Sequence, residues 1–395
     1  MSQDKKDLSS DEDDVLVDAD SCGYGEIQSQ FTKFRAVSEV AVSQKSSYVL
    51  HLTADSTFGQ VAAGTSQNSV EVFKVAEGRL AKVDNIQVDD SDKTVVCGVK
   101  FAKDDDNVLY VGSTEGKVSV YDLRKNQRIH TFQDHINELD DKPIPITCFD
   151  TNSNGRVLCA GSERVISDAF LLFFDTRQRK KLGGYCESHE DDITDIRFHP
   201  TNPDSLISGS TDGLVNVFDI SKDNEDDALS LVINTESSVH KLHWNESENK
   251  QYKIACVTHT HDFKLYEAEE GDVVCEFMRA DIAESVKRKS VEHCNLINCH
   301  SRQDGGIFLL AGSNYTDKAL RSVLIDKNDL SPFGNYESNK QIVRDSVYDP
   351  KSNILLTGGE NAIVSLWNEA STVSSPNSLK MKTKVSLKSH NKKPY

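Results

Sequence analysis

The 395-residue chain has no uninterrupted apolar run of ~18 residues, the length that a membrane-spanning helix needs. It has no excess of positive charge: 45 Lys and Arg face 63 Asp and Glu, a formal net charge of −18. Affinity for phosphate backbones comes from clustered Lys and Arg, so this balance argues against nucleic acid as a partner. There is no Cys-x-x-Cys pair among the nine cysteines at 22, 97, 148, 159, 186, 256, 275, 294 and 299. Met1 to Asp20 lacks the basic-then-apolar pattern of a secretory leader. An odd, scattered set of cysteines behind such a start predicts free thiols in an intracellular protein of the nucleus, the cytoplasm or both. No Gly-x-Ser-x-Gly elbow occurs, and no long stretch keeps a 3.6-residue apolar period with caps at both ends.

What is present is the composition of a folded domain, 37% hydrophobic and 27% charged. The charge is uneven. Residues 1–20 hold eight acids against Lys5 and Lys6, and residues 376–395 hold six lysines and no acid. These tails cancel, leaving the acidity on the part between them. The expected organisation is a disordered acidic tail over 1–27, one folded domain over 28–370 and a disordered basic tail over 371–395. Ser9 and Ser10 precede Asp11–Asp14 and resemble sites for an acidophilic kinase of the casein kinase 2 type, where each phosphate adds ~−1.5 to −2.

Between the tails, alternating runs rich in Val, Ile and Phe are separated by Gly, Asn, Asp and Ser, a pattern of short strands. Self-similarity selects the architecture. YVGSTEGKVSVYD (110–122), ISGSTDGLVNVFD (207–219), LTGGENAIVSLWN (356–368) and AAGTSQNSVEVF (62–73) share one plan. Each runs small–Gly–small, a two-residue polar turn, and an alternating strand ending in an aromatic. The anchoring glycines are Gly64, Gly112, Gly161, Gly209, Gly312 and Gly358, with Val257 in that slot of a weaker copy. Seven copies about 45–55 residues apart, each of four strands, predict an all-β, seven-bladed propeller. Copy seven lacks an apolar fourth strand, and Phe31–Val42 precedes copy one without a partner. Pairing that segment onto blade seven would close the ring and remove its open edges.

These repeats resemble the WD-repeat family. Copy four carries the likeness furthest, over GYCESHEDDITDIRFHPTNPDSLISGSTDGLVNVFDISKDNEDDAL (184–229). The resemblance implies a buried hydrogen-bond chain of His189, Asp212 and Ser208, normally closed by a tryptophan where this chain has Phe218. Copy seven keeps the tryptophan, Trp367 with Thr357, and has Asn361 in the aspartate slot.

Other constellations divide between chemical and structural readings. His189 with Asp212 is a catalytic pair in form, but without an activated nucleophile the structural role is preferred. In EHCNLINCH (292–300), strand parity sends Cys294 and Cys299 to opposite faces, so a four-ligand zinc site is not expected. His259 and His261 likewise lack further ligands. No metal, cofactor or enzymatic activity is predicted. Asp122-Leu123-Arg124 and Asp175-Thr176-Arg177 end the third strands of copies two and three. In that position they resemble the motif by which WD-type substrate receptors dock on the adaptor of cullin-4 ubiquitin ligases. The structural reading of each is a strand-end ion pair. The C-terminal lysines and Lys287-Arg288-Lys289 are small basic signals. Glu190–Asp192 and Asp223–Asp227 predict a negative patch for a basic partner. The sequence thus points to a non-enzymatic scaffold for protein–protein interactions, working as a monomeric ring within a complex. The cullin-4 receptor is the alternative.

Overall fold

Polar turns every six or so residues fold the chain into antiparallel four-stranded meanders, and seven of these stand side by side in a ring. The computed structural model describes residues 20–370 apart from 43–45, 89–93, 136–141, 248 and 316; the expected tails over 1–19 and 371–395, with Ser9 and Ser10, lie outside the described residues. From inside to outside, blade one is Val49–Ala54, Gln60–Thr65, Ser69–Ala76 and Arg79–Gln87. Blade two is Val96–Phe101, Val108–Ser113, Lys117–Asp122 and Gln127–Phe132; blade three is Ile146–Thr151, Val157–Ser162, Leu171–Asp175 and Lys180–Tyr185. Blade four, Ile193–Phe198, Ser205–Ser210, Leu214–Asp219 and Leu229–Asn234, is followed by blade five, Val239–Glu246, Tyr252–Thr258, Phe263–Glu267 and Val273–Phe277. Blade six is Cys294–Ser301, Ile307–Ser313, Leu320–Asp326 and Asp329–Glu337. Blade seven takes Val343–Asp349, Ile354–Gly359 and Ile363–Glu369, and borrows Thr32–Ala41 from the other end of the chain.

The repeated glycines have a steric cause. A Cβ on Gly209 would lie 2.4 Å from Val239 Cγ1, on Gly161 2.6 Å from Ile193 Cγ2, and on Gly358 2.4 Å from Val49 Cγ1. Each contact is with the innermost strand of the following blade, blade one following blade seven. The glycine lets neighbouring sheets close to contact distance, and the apolar core lies in these seams. Blade five has Val257 in the slot, and in blade six a Cβ on Gly312 would meet Ile297 of its own blade at 2.9 Å instead of the next blade.

Closure follows the expected strand exchange. Thr32–Ala41 runs antiparallel to Ile363–Glu369, from Phe34 opposite Glu369 to Ala41 opposite Ile363. It also pairs in parallel with the outer strand of blade six, Thr32 opposite Gly334 through Arg35 opposite Glu337. Blades six and seven thereby become one eight-stranded sheet. Phe34 stacks on Tyr336 with ring centroids 4.9 Å apart, and Tyr336 meets Trp367 edge-on at 5.5 Å.

The expected tail boundary at residue 27 is too late. Helix α1, Tyr24–Gln30, buries Ile27, and Phe31 follows it into the same apolar cluster. That cluster includes Ile282 and Ala283 of a second short helix, Arg279–Ser285. Ahead of α1, Asp20 is held by two arginines: Arg321 grips both its oxygens at 2.7 Å, and Arg288 reaches it at 3.0 Å. Arg288 also pairs with Asp317 at 2.6 Å. Arg288, expected in a basic surface cluster, is therefore buried and neutralised. Sequence gave no warning, because its partners lie 268 and 29 positions away.

Strand parity also needs correcting. A β-bulge at Ile297 offsets the innermost strand of blade six, so Cys294 and Cys299 enter the same apolar cluster, not opposite faces. One inserted residue reverses the alternation beyond it.

Candidate functional site

In blade four the histidine expected before the first strand sits behind the turn that carries Asp212. His189 Nδ1 lies 2.9 Å from Asp212 Oδ2, and Nε2 lies 2.7 Å from Ser208 Oγ. The carboxylate only accepts, so Nδ1 carries the proton and Nε2 accepts from the serine hydroxyl. Sequence reasoning missed Asn216, whose side-chain amide approaches Nε2 at 3.3 Å and donates to the Ser188 carbonyl at 2.6 Å. Burial would raise the Asp212 carboxyl, but His189 and the amides of Leu214 and Glu190 outweigh it and hold the pKa below the ordinary value. Phe218 fills the tryptophan position, fully buried, 5.5 Å from the Tyr185 ring. In blade seven Trp367 Nε1 donates to Thr357 Oγ1 at 2.8 Å, while Asn361 donates to the Lys340 carbonyl.

A second polar system lines the centre of the ring and was not legible from motifs. Asp150 accepts Lys100 Nζ of blade two at 2.9 Å and the Phe198 amide of blade four at 2.9 Å, joining three consecutive blades. Asp195 accepts the Leu242 amide of blade five and Arg197 Nε. Asp345 accepts the Leu52 amide of blade one at 2.7 Å and Lys241 Nζ of blade five at 2.8 Å. Asn298 continues the series, receiving His243 at 2.7 Å and donating to the Ser346 carbonyl. Asp195, Lys241 and Asp345 each follow the bulge of an innermost strand and stand opposite Gly209, Val257 and Gly358, equivalent positions in their blades, whereas Asn298 follows a later bulge and stands opposite Leu310. Burial raises the Asp150 and Asp345 carboxyls, yet Lys100 and Lys241 beside them bring both below the ordinary value. Burial lowers His240 and His300 to about 3, which keeps both rings neutral. Beside this network lies a cavity of about 340 Å³. Its cations Lys100, Arg197, Lys241 and Arg344 are each paired, so the arrangement couples blades and leaves no unpaired positive cluster there for an anion.

The two Asp-x-Arg motifs differ. Arg124 is forked over Asp122, Nε to Oδ1 at 3.0 Å and Nη2 to Oδ2 at 3.1 Å, and also reaches Asp105 at 3.1 Å. Asp175 instead accepts the backbone amides of Arg177 and Gln178, and the exposed Arg177 side chain makes no ion pair among the described residues. The acidic segments are partly committed too. Glu225, at the start of helix α2 (Glu225–Ala228), receives the amides of Cys186 and Glu187 and the Ser188 hydroxyl. Asp192 receives the Arg164 amide.

Of the other candidate ligands, His293 pairs with Asn314 and His300 with Ser346, while His259 pairs with Ser238 and His261 faces the Leu296 carbonyl. Among the described residues no three His, Cys, Asp or Glu side chains converge as a metal site would require. All nine cysteines are free thiols, and burial pushes Cys97, Cys256 and Cys299 up to about 12. Such thiols are poor nucleophiles.

Residues 180–219, from the outer strand of blade three to the third strand of blade four, match the model of the WD domain, G-beta repeat. The chain carries a WD repeat in blade four. The WD repeat-containing protein 89 homolog of Dictyostelium discoideum is 22% identical over 365 residues, 90% of this chain and 94% of that one. Human nucleoporin Nup43 is 27% identical over 168 residues, 40% of this chain and 42% of the nucleoporin. A chain in the crystal structure of the mitotic checkpoint complex superposes with a TM-score of 0.63 at 17% identity, over 85% of this chain and 95% of that one. It shares the fold.

Proposed function

We propose that this WD-repeat ring is a non-enzymatic platform on which other proteins assemble. One observation carries the reading: the polar groups best suited to chemistry are tied into the scaffold. His189, Asp212 and Ser208 satisfy one another, and the central carboxylates bind backbone amides of the next blade. The loops at both ends of the blades remain as the variable surface, as in interaction domains generally. The likeness to a nucleoporin supports a nuclear setting. The test is affinity purification of the full chain at native abundance, with quantitative mass spectrometry and sizing of the eluate. A stoichiometric assembly is expected. A chain that elutes only as a free monomer, and turns over a substrate, defeats the proposal.

A second reading, substrate receptor of a cullin-4 ubiquitin ligase, is favoured by the exposed Arg177 guanidinium. It lies on the blade next to Arg124 and makes no ion pair among the described residues. Arg124→Ala combined with Arg177→Ala should abolish recovery of the ligase adaptor. Equal recovery with the double variant, or none with wild type, removes this reading.

A further inference from the structure

Between blades four and five, three aromatic rings from three separate stretches of the chain form one wall. His199 follows the innermost strand of blade four, Trp244 lies near the end of that of blade five, and Tyr252 opens the next strand. The His199 ring lies 4.8 Å from Trp244 and 4.1 Å from Tyr252, edge-on to both. The wall is held in place. Trp244 Nε1 donates to the Arg197 carbonyl at 3.0 Å, and His199 Nδ1 accepts the Asn202 amide at 3.0 Å and the Thr201 amide at 3.2 Å. Accepting at Nδ1 fixes His199 as a neutral ring, and burial lowers its pKa in the same direction.

The wall borders an open cleft of about 460 Å³ that the turn Glu267–Glu270 also lines, its Ala268 amide donating to the Tyr252 carbonyl at 3.3 Å. Three carboxylates stand there, Glu267, Glu269 and Glu270, against one cation, Lys250. Glu267 pairs with Lys253 at 3.3 Å, while Glu269 and Glu270 are exposed and make no ion pair among the described residues. Neutral aromatic faces attract a cation through the ring quadrupole, and carboxylates around them add charge without filling the cleft. An anion would meet three like charges, and an apolar side chain would leave them facing it.

We propose that this cleft receives a lysine side chain from a basic segment of a partner protein, the alkyl stem along the aromatic wall and the ammonium toward Glu269 and Glu270. This rests on the platform reading and names one docking point on it. If the cleft proves empty of function the platform stands, because affinity purification samples the whole surface.

The chain has two tryptophans, and Trp367 is fully buried in blade seven, so emission changes on ligand addition report Trp244. The full chain is titrated with a peptide of alternating lysine and glycine, and with its glutamine–glycine counterpart. Saturable quenching by the lysine peptide alone is expected. Binding should weaken about tenfold in Glu269→Gln/Glu270→Gln and in Tyr252→Ala, with the melting curve of the first variant unchanged as the control for folding. No saturable response, an equal response to the glutamine peptide, or wild-type affinity in the glutamate double variant overturns the proposal. So does a shift in Trp244 emission on replacing the six lysines of residues 376–395 by glutamine without peptide, since the tail would then be the occupant.

Discussion

Removing the Asp20 carboxylate tests how the ring is secured. Asp20→Ala deletes three charge-assisted contacts, at 2.7, 2.7 and 3.0 Å, to arginines that are each 6% exposed. Breaking a fully buried pair on one side costs about 3–5 kcal/mol. Here Arg288 keeps Asp317 at 2.6 Å and Arg321 keeps the Val286 carbonyl at 2.8 Å, so the loss should be about 1–3 kcal/mol. For a chain of this size that is a fall in Tm of about 2–4 °C. Hydrogen exchange should localise it: amides of residues 24–41, which follow the clip into blades six and seven, should lose protection first. The pH dependence has a definite sign. Burial opposes ionisation of Asp20, but the hydrogen bond and charge of Arg321, with Arg288, hold its pKa below the ordinary 3.8. The stabilisation is therefore complete above the unfolded carboxylate pKa of about 4 and fades as pH falls through the lower folded value. Wild type and Asp20→Ala should differ at pH 7 and converge as pH falls through the lowered folded pKa of Asp20. Equal melting within about 0.5 °C at pH 7, with unchanged exchange over 24–41, would refute the reasoning.

Three further outcomes follow from the same geometry. Gly209→Ala forces a Cβ to 2.4 Å from Val239 Cγ1 and should destabilise by about 1–3 kcal/mol, read by urea unfolding. Asp345→Ala leaves Lys241 and the Leu52 amide without their carboxylate, costing about 3–5 kcal/mol; adding Lys241→Met should recover part of the loss in a double-mutant cycle. Ser208→Ala removes the hydroxyl that caps His189 Nε2 and should cost about 1–3 kcal/mol, without affecting any partner bound elsewhere on the ring.

Copy four was readable almost strand by strand, because its innermost, second and third strands alternate cleanly and its turns carry Asp-Gly and Asn-Pro. Ring closure was readable for a related reason: Phe31–Val42 had the pattern of a strand and no neighbour in sequence to pair with. Its parallel pairing to blade six was not, since that edge depends on how far the outer strand of blade six extends. The cysteine parity in blade six failed on one bulge at Ile297. The central carboxylates were missed because equivalent positions hold Asp195, Lys241 and Asp345, which share a place in the ring but not a chemical type. The Trp244 cleft is assembled from turns of two blades, so no motif marks it.

By itself, then, the sequence determined the repeat, the blade count and the strand exchange, because these arise from local alternation, turn chemistry and the need to pair every edge. Tertiary structure decided which charges are surface and which are scaffold. The opening charge of −18 is the example: Asp20, Asp150, Asp195 and Asp345 lie inside ion pairs or inter-blade hydrogen bonds, whereas Glu269 and Glu270, beside an aromatic wall, make no ion pair among the described residues. A carboxylate's role depends on what the ring brings within about 3 Å of it, and, apart from Arg197 beside Asp195, those partners are tens to hundreds of residues away in the chain.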